Sequence, residues 1–570
     1  PMASREPTPA VAPSVRAAEA LATSAGPARV LELDAAAPDR AAWTAALAAH
    51  TDGATAGVVS LLAMGQDGGG TGVGGGVLAT VVLTQAVLDS GRSLRLWALT
   101  QGAVEVGADD PVRNPGQTQT WGVGRVAALE HPAVWGGLID LPATGADKVI
   151  GRELAALVDG VGGEDQVALR SDGAYGCRLV RARPGGEPAG GTSGGWRPSG
   201  TVLITGGTGG LGAHVARWMA DNGAEHLVLL SRRGLDAPGA ARLRGELEQR
   251  GARVTVAACD LADRAELSAL LAKLHSDGAV IRSVVHTAGV ASYNPVKDIE
   301  PAELGPVMAA KVEGAILLDE LLADAPLDAF VLFSSNAGVW GSGTQGLYAA
   351  ANAFLDGFAA WRRSRGRPAT SIAWGAWAGA GMVEETGTGE LLQRQGVLAM
   401  DPELAVAALV RALEQDERFL AVADVDWEAF APTFTTHRPS PLIGGIAEVR
   451  EALDAPAATG RPGKDALPDL GGGLRSLDSI ELLSAVTRLV RVSVAEVLGF
   501  ASVGEGGAAD AAEVGRDFRD LGFDSLTAVQ LRNRLNAATG LRLPAAVVFD
   551  HPNAEELAAF VCAELSAKTV

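Results

Sequence analysis

The stretch that most limits how this chain can fold is residues 201–222. Thr201-Val202-Leu203-Ile204 reads as a buried strand and runs straight into Thr205-Gly206-Gly207-Thr208-Gly209-Gly210-Leu211-Gly212, after which a helical segment extends from Ala213 to about Asn222. Glycines in this T-G-x-x-x-G-x-G spacing permit a tight turn and a close backbone approach. The helix that follows aims its free N–H groups and the positive end of its dipole at the same point, as a pyrophosphate requires. A glycine cluster alone carries little weight; the strand before it and the helix after it make this a dinucleotide site.

The surroundings fit a doubly wound α/β unit. Short apolar runs at Leu227–Leu230, Val254–Ala257, Ser283–His286, Ala329–Phe333 and Thr370–Trp374 alternate with helical segments up to about residue 440. At the end of the next strand, where an NAD-binding fold places an acid for the ribose, stand Ser231-Arg232-Arg233. Two guanidinium groups suit a 2′-phosphate, so the expected cofactor is NADPH; two solvated surface arginines are the alternative. Asp260 and Leu261 are expected to flank the adenine, and His286, Ala288 and Gly289 to line the nicotinamide side.

Breaker-rich stretches divide the chain. Residues 1–14 form a Pro- and Ala-rich N-terminus expected to be flexible, and 15–183 an α/β unit with apolar runs at Arg29–Leu33, Val58–Leu62 and Leu94–Leu99. A Gly-rich linker at 184–197 precedes the unit at 198–453, and a linker at 454–474 precedes a helical region at 475–570. The expected architecture is two tandem Rossmann-like doubly wound α/β units followed by a small four-helix bundle. The first unit is read as lacking a glycine-rich strand-to-helix turn and so as structural and non-binding. It is either the silent copy of an internal duplication or an unrelated α/β domain.

Bulk properties exclude several classes. With 47 Lys+Arg against 67 Asp+Glu the formal charge is −20, which disfavours nucleic acid and anionic membrane as partners. The three cysteines, Cys177, Cys259 and Cys562, and the eight scattered histidines show no metal-ligand spacing, so no metal is expected. No apolar run reaches the roughly 18 residues that a membrane-spanning helix needs. A reducing cytoplasm is the expected location, and the opening Pro1-Met2 reads as part of something longer.

Between Phe333 and Asn352 the sequence places Ser335 at a strand end and Tyr348 thirteen residues later. Tyr348 starts a helix whose Ala349, Ala350 and Ala351 are read as allowing close approach of a ligand. This segment resembles the short-chain dehydrogenase/reductase superfamily, and more closely the ketoreductase domains of modular polyketide synthases. Ordinary members carry a lysine four residues after the tyrosine, where this chain has Asn352. The polyketide synthase branch has the two exchanged, and Lys311 stands at the matching place. The resemblance therefore implies Lys311, Ser335, Tyr348 and Asn352 as the catalytic set. In it Tyr348 is the proton donor, Lys311 its activator, Ser335 the holder of the carbonyl oxygen, and Asn352 the residue orienting Lys311 and a relay water. The rival reading is a silent reductase fold that only holds the carrier.

The resemblance extends to stereochemistry. Members giving the D-alcohol carry Leu-Asp-Asp where this chain has Ala291-Ser292-Tyr293; the opposite class carries a tryptophan eight residues before the tyrosine, and Trp340 is there. Gln345 replaces the histidine of epimerising members. An L-alcohol (A1-type) without epimerisation is expected, under a lid that begins at Trp374 and includes Trp377 and Met382. Finally, Phe518-Arg519-Asp520-Leu521-Gly522-Phe523-Asp524-Ser525-Leu526 looks like the attachment site of acyl carrier domains. It implies covalent 4′-phosphopantetheine on Ser525, with Ala528, Leu531, Leu535 and Ala538 packed inward. The implied partners are the carrier in cis, a phosphopantetheinyl transferase, and ketosynthase and acyltransferase domains upstream.

Overall fold

In a computed structural model of the chain, the strand foreseen at residues 201–204 is β6, an interior strand of the larger of the two main sheets. The structure describes residues 30–52, 55, 57–65, 75–146, 154, 157, 163–182, 195–379, 381, 389–436, 438–454, 479–497, 517–518, 525–541, 543 and 547–567. These divide into two compact units: residues 1–390 with 397–424, which hold both sheets, and residues 391–396 with 425–570, which include the C-terminal helices.

The smaller sheet contains β1 (Gly57–Ser60), β2 (Arg95–Gln101), β3 (Trp135–Leu141), β4 (Gln166–Arg170) and β5 (Gly173–Gly176). They lie in sequential order, parallel except for the antiparallel β5. Of the expected runs, Val30–Leu33 is irregular chain, with no strand beside it among the described residues; Arg29 lies outside them. The run at Val58–Leu62 stops at Ser60 and passes into a single 3₁₀ turn, Leu62–Gly65. A glycine-rich stretch does occur after β1, at Gly65–Gly76, contrary to expectation. Residues 61–74 nevertheless separate the strand end from the helix Gly75–Asp89, so the immediate strand-to-helix junction of a phosphate turn is missing.

The larger sheet adds β7 (His226–Ser231), β8 (Arg253–Ala258), β9 (Ile281–His286), β10 (Ala329–Ser335), β11 (Thr370–Trp374) and β12 (Phe419–Val422) to β6 (Thr201–Thr205). All seven are parallel, in the order β12-β11-β10-β9-β6-β7-β8. The order reverses between β6 and β9, and at such a switch point the chain leaves adjacent strand ends in opposite directions and opens a crevice. The sequential sheet has no such point.

The longer helices of this unit among the described residues are α1 (Arg40–His50), α2 (Gly75–Asp89), α3 (Thr118–Glu130), α4 (Gly210–Asp221), α5 (Ala240–Gln249), α6 (Arg264–Ser276), α7 (Gly314–Leu321), α8 (Gly346–Arg363) and α9 (Pro402–Glu414). Helix α4 starts at Gly210, three residues before its foreseen start at Ala213. The foreseen linker at 184–197 does not part the sheets, because α3 from the first packs on α8 from the second. A Cβ on Gly122 would lie 2.3 Å from the Ala349 carbonyl oxygen, and one on Gly357 would lie 2.4 Å from Thr118 Cγ2. Ala349, Ala350 and Ala351 are fully buried, so their small side chains admit helix α3 and not a ligand. Trp196, at the end of the same foreseen linker, stacks on Trp218 with ring centroids 6.1 Å apart.

In the C-terminal unit, α10 (Ser479–Val497), α11 (Ser525–Thr539), the one-turn helix Val547–Asp550 and α12 (Ala554–Ala567) share one core. Ala528, Leu531, Leu535 and Ala538 are buried in it, as their spacing on one helical face predicts. No helix among the described residues is long and apolar enough to cross a membrane.

Backbone contact at the α3–α8 crossing leaves no room for a side chain. Gly122→Val is expected to lower stability by ~1–3 kcal/mol through overpacking and to reduce activity with it. Denaturant unfolding checks this, and an unchanged midpoint would refute the close crossing.

Candidate active site

The glycine turn occupies the switch point. Gly206 has φ +65°, and a Cβ there would lie 2.8 Å from Thr287 Oγ1; a Cβ on Gly212 would lie 2.5 Å from the Gly206 carbonyl oxygen. Only glycine folds the turn this tightly against the end of β9. Gly209 caps α4 without any side-chain hydrogen bond, so the first N–H groups of the helix lack an intrahelical or side-chain partner. At the end of β7 the buried Ser231 Oγ also has no partner. Beside it Arg232 and Arg233 are exposed. Unpaired donors at the turn, two free guanidinium groups and an orphaned hydroxyl on one sheet edge fit a dinucleotide with an extra phosphate.

Thr205 and His286 have another task. Both are fully buried. His286 Nε2 lies 3.1 Å from the Lys311 carbonyl oxygen, and its Nδ1 lies 2.8 Å from Thr205 Oγ1. Burial pulls the imidazole down to about 4, so the ring is neutral. A carbonyl can only accept, so Nε2–H donates to Lys311 and Nδ1 accepts from Thr205. His286 therefore ties the glycine-turn strand to the lysine segment instead of lining the nicotinamide side. Leu261 is likewise a core residue, whereas Asp260 is exposed, its Oδ1 accepting from Ala262 N at 3.0 Å.

Lys311 lies in a π-helical turn, Ala309–Glu313, between two α-helical segments. Such widened turns are frequent at functional sites. Its side chain is 3% exposed, and Nζ donates to the Phe333 carbonyl oxygen at 2.7 Å. Gly289 makes room for it, since a Cβ there would lie 2.5 Å from Lys311 Cε. Nζ sits 5.7 Å from the centroid of the Tyr348 ring, within reach of a favourable cation–π contact. Burial pulls the ammonium down to about 8, against the pull of the Asp356 carboxylate.

Ser335 ends β10 and caps the one-turn helix Asn336–Trp340, its Oγ accepting from Ala337 N at 3.2 Å. The same hydroxyl bonds the Tyr348 phenol. Burial raises the pKa of that phenol, while hydrogen bonds from Ser335 and Asn352 oppose the rise. Capping and site roles coexist in one oxygen, because accepting the N–H leaves the O–H free to donate. Asn352 does not bond Lys311: its Nδ2 donates to the Tyr348 carbonyl oxygen at 2.8 Å, and its buried Oδ1 has no protein partner. Asp356, one further turn along α8, accepts from Ser371 Oγ at 2.7 Å, and burial pushes it up to about 7. Sequence reasoning passed over Asp356, although it is the lone acid of α8 and lies on the Tyr348–Asn352 face.

Among the stereochemical candidates, Trp340 is 8% exposed just before the loop that leads to Tyr348. Gln345 opens α8 and forms a parallel bridge to Asn294. Trp377 is a core residue packed against Phe333, Trp374 and His214, so it faces no substrate. Met382 lies outside the described residues, as does the foreseen turn of Gly522 and Asp524. Ser525 is the first residue of α11.

Family comparisons agree with this geometry. The KR domain model matches residues 200–379, the phosphopantetheine attachment site 488–561, and the Rossmann fold domain of the polyketide synthase extender module SpnB 6–179. The pikromycin polyketide synthase component PikAIII of Streptomyces venezuelae is 48% identical over 528 residues, covering 91% of this chain and 32% of that protein. The erythronolide synthase EryA3 of Saccharopolyspora erythraea is 46% identical over 93% of this chain and 15% of its own length. The chain thus spans about a third or less of these curated relatives. A structure described as an A-type ketoreductase from a modular polyketide synthase superposes with TM-score 0.68 at 50% identity, covering 73% of this chain and 87% of that one. An A1-type ketoreductase gives TM-score 0.70 at 48% identity, covering 77% and 91%. With its glycine turn, its buried lysine beside Tyr348 and its C-terminal attachment-site domain, the chain belongs to the modular type I polyketide synthases, as a ketoreductase followed by an acyl carrier domain.

Proposed function

We propose that this chain reduces the β-keto group of a polyketide intermediate, held as a thioester on a phosphopantetheinylated carrier domain, to the β-hydroxyacyl thioester. The observation that carries the reading is the meeting of Lys311, Ser335 and Tyr348, from three separate elements, on the sheet edge that bears the glycine turn. NADPH, the cofactor of the family, supplies a hydride to the β-carbon when bound. The protein's own residues do the rest. The N–H groups at the start of α4 hold the pyrophosphate, and Arg232 and Arg233 grip the 2′-phosphate through charge-assisted bonds. Ser335 holds the carbonyl oxygen while Tyr348 gives it a proton. The Lys311 ammonium stabilises the phenolate so formed, and Asn352 Oδ1 is free to hold the water through which that proton is replaced.

The configuration follows from the loop residues. Trp340 before Tyr348, Ala291-Ser292-Tyr293 in place of an acidic triplet, and Gln345 in place of histidine support an L-alcohol without epimerisation. The 48% identity to an A1-type ketoreductase supports the same choice. The carrier in cis presents the substrate after a phosphopantetheinyl transferase has loaded Ser525. Ketosynthase and acyltransferase domains upstream build the chain in the cytoplasm.

Tyr348→Phe removes the proton donor and is expected to lower NADPH consumption with a β-ketoacyl thioester by ~10²–10⁴-fold, the wild-type product being the L-alcohol on chiral analysis. Wild-type consumption in the variant would refute Tyr348 as the proton donor, and a wild-type chain that consumes no NADPH would leave only the scaffold reading. Lys311 is protonated below about 8 and neutral above it, while the raised phenol keeps its proton in that range. The rate should therefore fall as pH rises through about 8. Arg232→Ala with Arg233→Ala should raise the KM for NADPH and leave that for NADH unchanged, measured by initial rates. Ser525→Ala should abolish the pantetheinyl mass increase seen when the wild-type chain is treated with coenzyme A and a transferase.

A further inference from the structure

Glu130 closes α3, the helix that the smaller sheet's unit lays on α8, and lies outside the catalytic set. Its carboxylate is 12% exposed, and its two oxygens go to two different loops. Oε2 accepts from Val296 N at 2.7 Å and Oε1 from Thr344 N at 2.6 Å. Because the two N–H donors reach different oxygens of the group, a side-chain amide in its place would turn its NH2 toward one of them, whereas a carboxylate accepts at both. Burial raises the pKa of this carboxyl, and the two backbone hydrogen bonds oppose the rise.

The two loops are the ones that carry the stereochemical markers. One runs from Ala291-Ser292-Tyr293 to Val296; the other, after Trp340, runs through Thr344 and Gln345 into the first turn of α8, where Tyr348 is the third residue. Thr344 adopts φ +64°, a left-handed conformation uncommon for a β-branched residue. The Glu130 bond holds it there. Gln345 and Asn294 bridge the same two loops directly. In the first loop the buried Ser292 Oγ has no partner. A second residue of the same unit grips the first loop: Gln85, 3% exposed, donates from Nε2 to the carbonyl oxygens of Val296 and Ile299, both at 2.9 Å.

We propose that Glu130, supported by Gln85, is a positioning residue that fixes the gap between the 291–296 and 341–345 loops and so decides which face of the ketone is reduced. The smaller sheet's unit is then part of the stereocontrol of the reaction, acting through two loops it does not contain. The inference rests on the reductase reading above, and the experiment separates the two.

The full chain, as wild type, Glu130→Gln and Gln85→Met, is assayed with NADPH and 2-methyl-3-oxopentanoyl N-acetylcysteamine thioester. NADPH affinity is measured by fluorescence, and the alcohol diastereomers are resolved by chiral chromatography. Glu130→Gln keeps one acceptor and turns an N–H donor toward an N–H donor. It is expected to raise the KM for the thioester about fivefold or more and to yield a second diastereomer, with NADPH affinity unchanged. Gln85→Met should give a weaker shift in the same direction and decides the matter if Glu130→Gln does not fold. Wild-type KM and product ratio in the folded variants would overturn the proposal, as would a uniform loss of kcat at unchanged product ratio, which is what a merely structural role gives. A wild-type chain that consumes no NADPH would sink the reductase reading itself, and this inference with it.

Discussion

Helix α8 carries Tyr348, Asn352 and Asp356, and its position is set by a crossing at which backbone touches backbone. Gly122 of α3 meets the Ala349 and Ala350 peptide, one and two residues beyond Tyr348, and Gly338 before α8 meets Ala353 N, where a Cβ would lie 2.9 Å away. Interiors packed at this density transmit displacement instead of absorbing it. At its far end α8 is pinned by Arg362, buried and paired with Asp319 of α7, its guanidinium 3.8 Å from the centroid of the Phe330 ring. A helix held at both ends and along one face presents its phenol at a fixed place. A proton donor must have that property if hydride and proton are to reach one carbonyl together.

Charge at the site is arranged around a single buried ammonium. His286, which touches the Lys311 backbone, is kept neutral by burial, and that ammonium lowers its pKa further. Asp356 lies near enough to compensate part of Lys311's desolvation, but its own burial brings it up to about 7. The lysine is therefore only partly compensated, and a cation short of a counter-charge is what the proposed proton transfer from Tyr348 calls for. A fully paired lysine would sit lower in energy and assist less.

What could be read in the sequence was local. The β6–turn–α4 unit depends on residues within about twenty positions of each other, and Ser335 and Tyr348 fall within one strand–loop–helix segment. The π turn at Ala309–Glu313 was not legible, because Ala-Ala-Lys-Val-Glu has ordinary helical propensity and the widening places a side chain that only the folded sheet edge calls for. Strand β12 is a four-residue run, too short to be told from its neighbouring helix by period. The Val30–Leu33 pattern alternates as a strand should, yet a strand exists only where another lies beside it. Ala349–Ala351 were read as making room, which is right, but the occupant is α3, some 220 residues earlier in the chain. Glu130 gave no local signal at all, since both groups it binds are backbone N–H from distant loops.

The contrast between the two sheets shows why glycine content alone does not make a nucleotide site. Glycines follow β1 at least as densely as they follow β6. What differs is topology. Strand β6 has neighbours on both sides whose chains depart in opposite directions, and α4 starts five residues after the strand ends, with its N–H groups uncapped. Strand β1 is an edge strand with β2 as its one neighbour, in a sheet whose order never reverses. Such a sheet lacks the reversal that opens a crevice, and among the described residues β1 runs into a 3₁₀ turn, Leu62–Gly65, and not directly into a helix. Helices α2 and α3 of this sheet instead support the loops of the other, through Gln85 and Glu130.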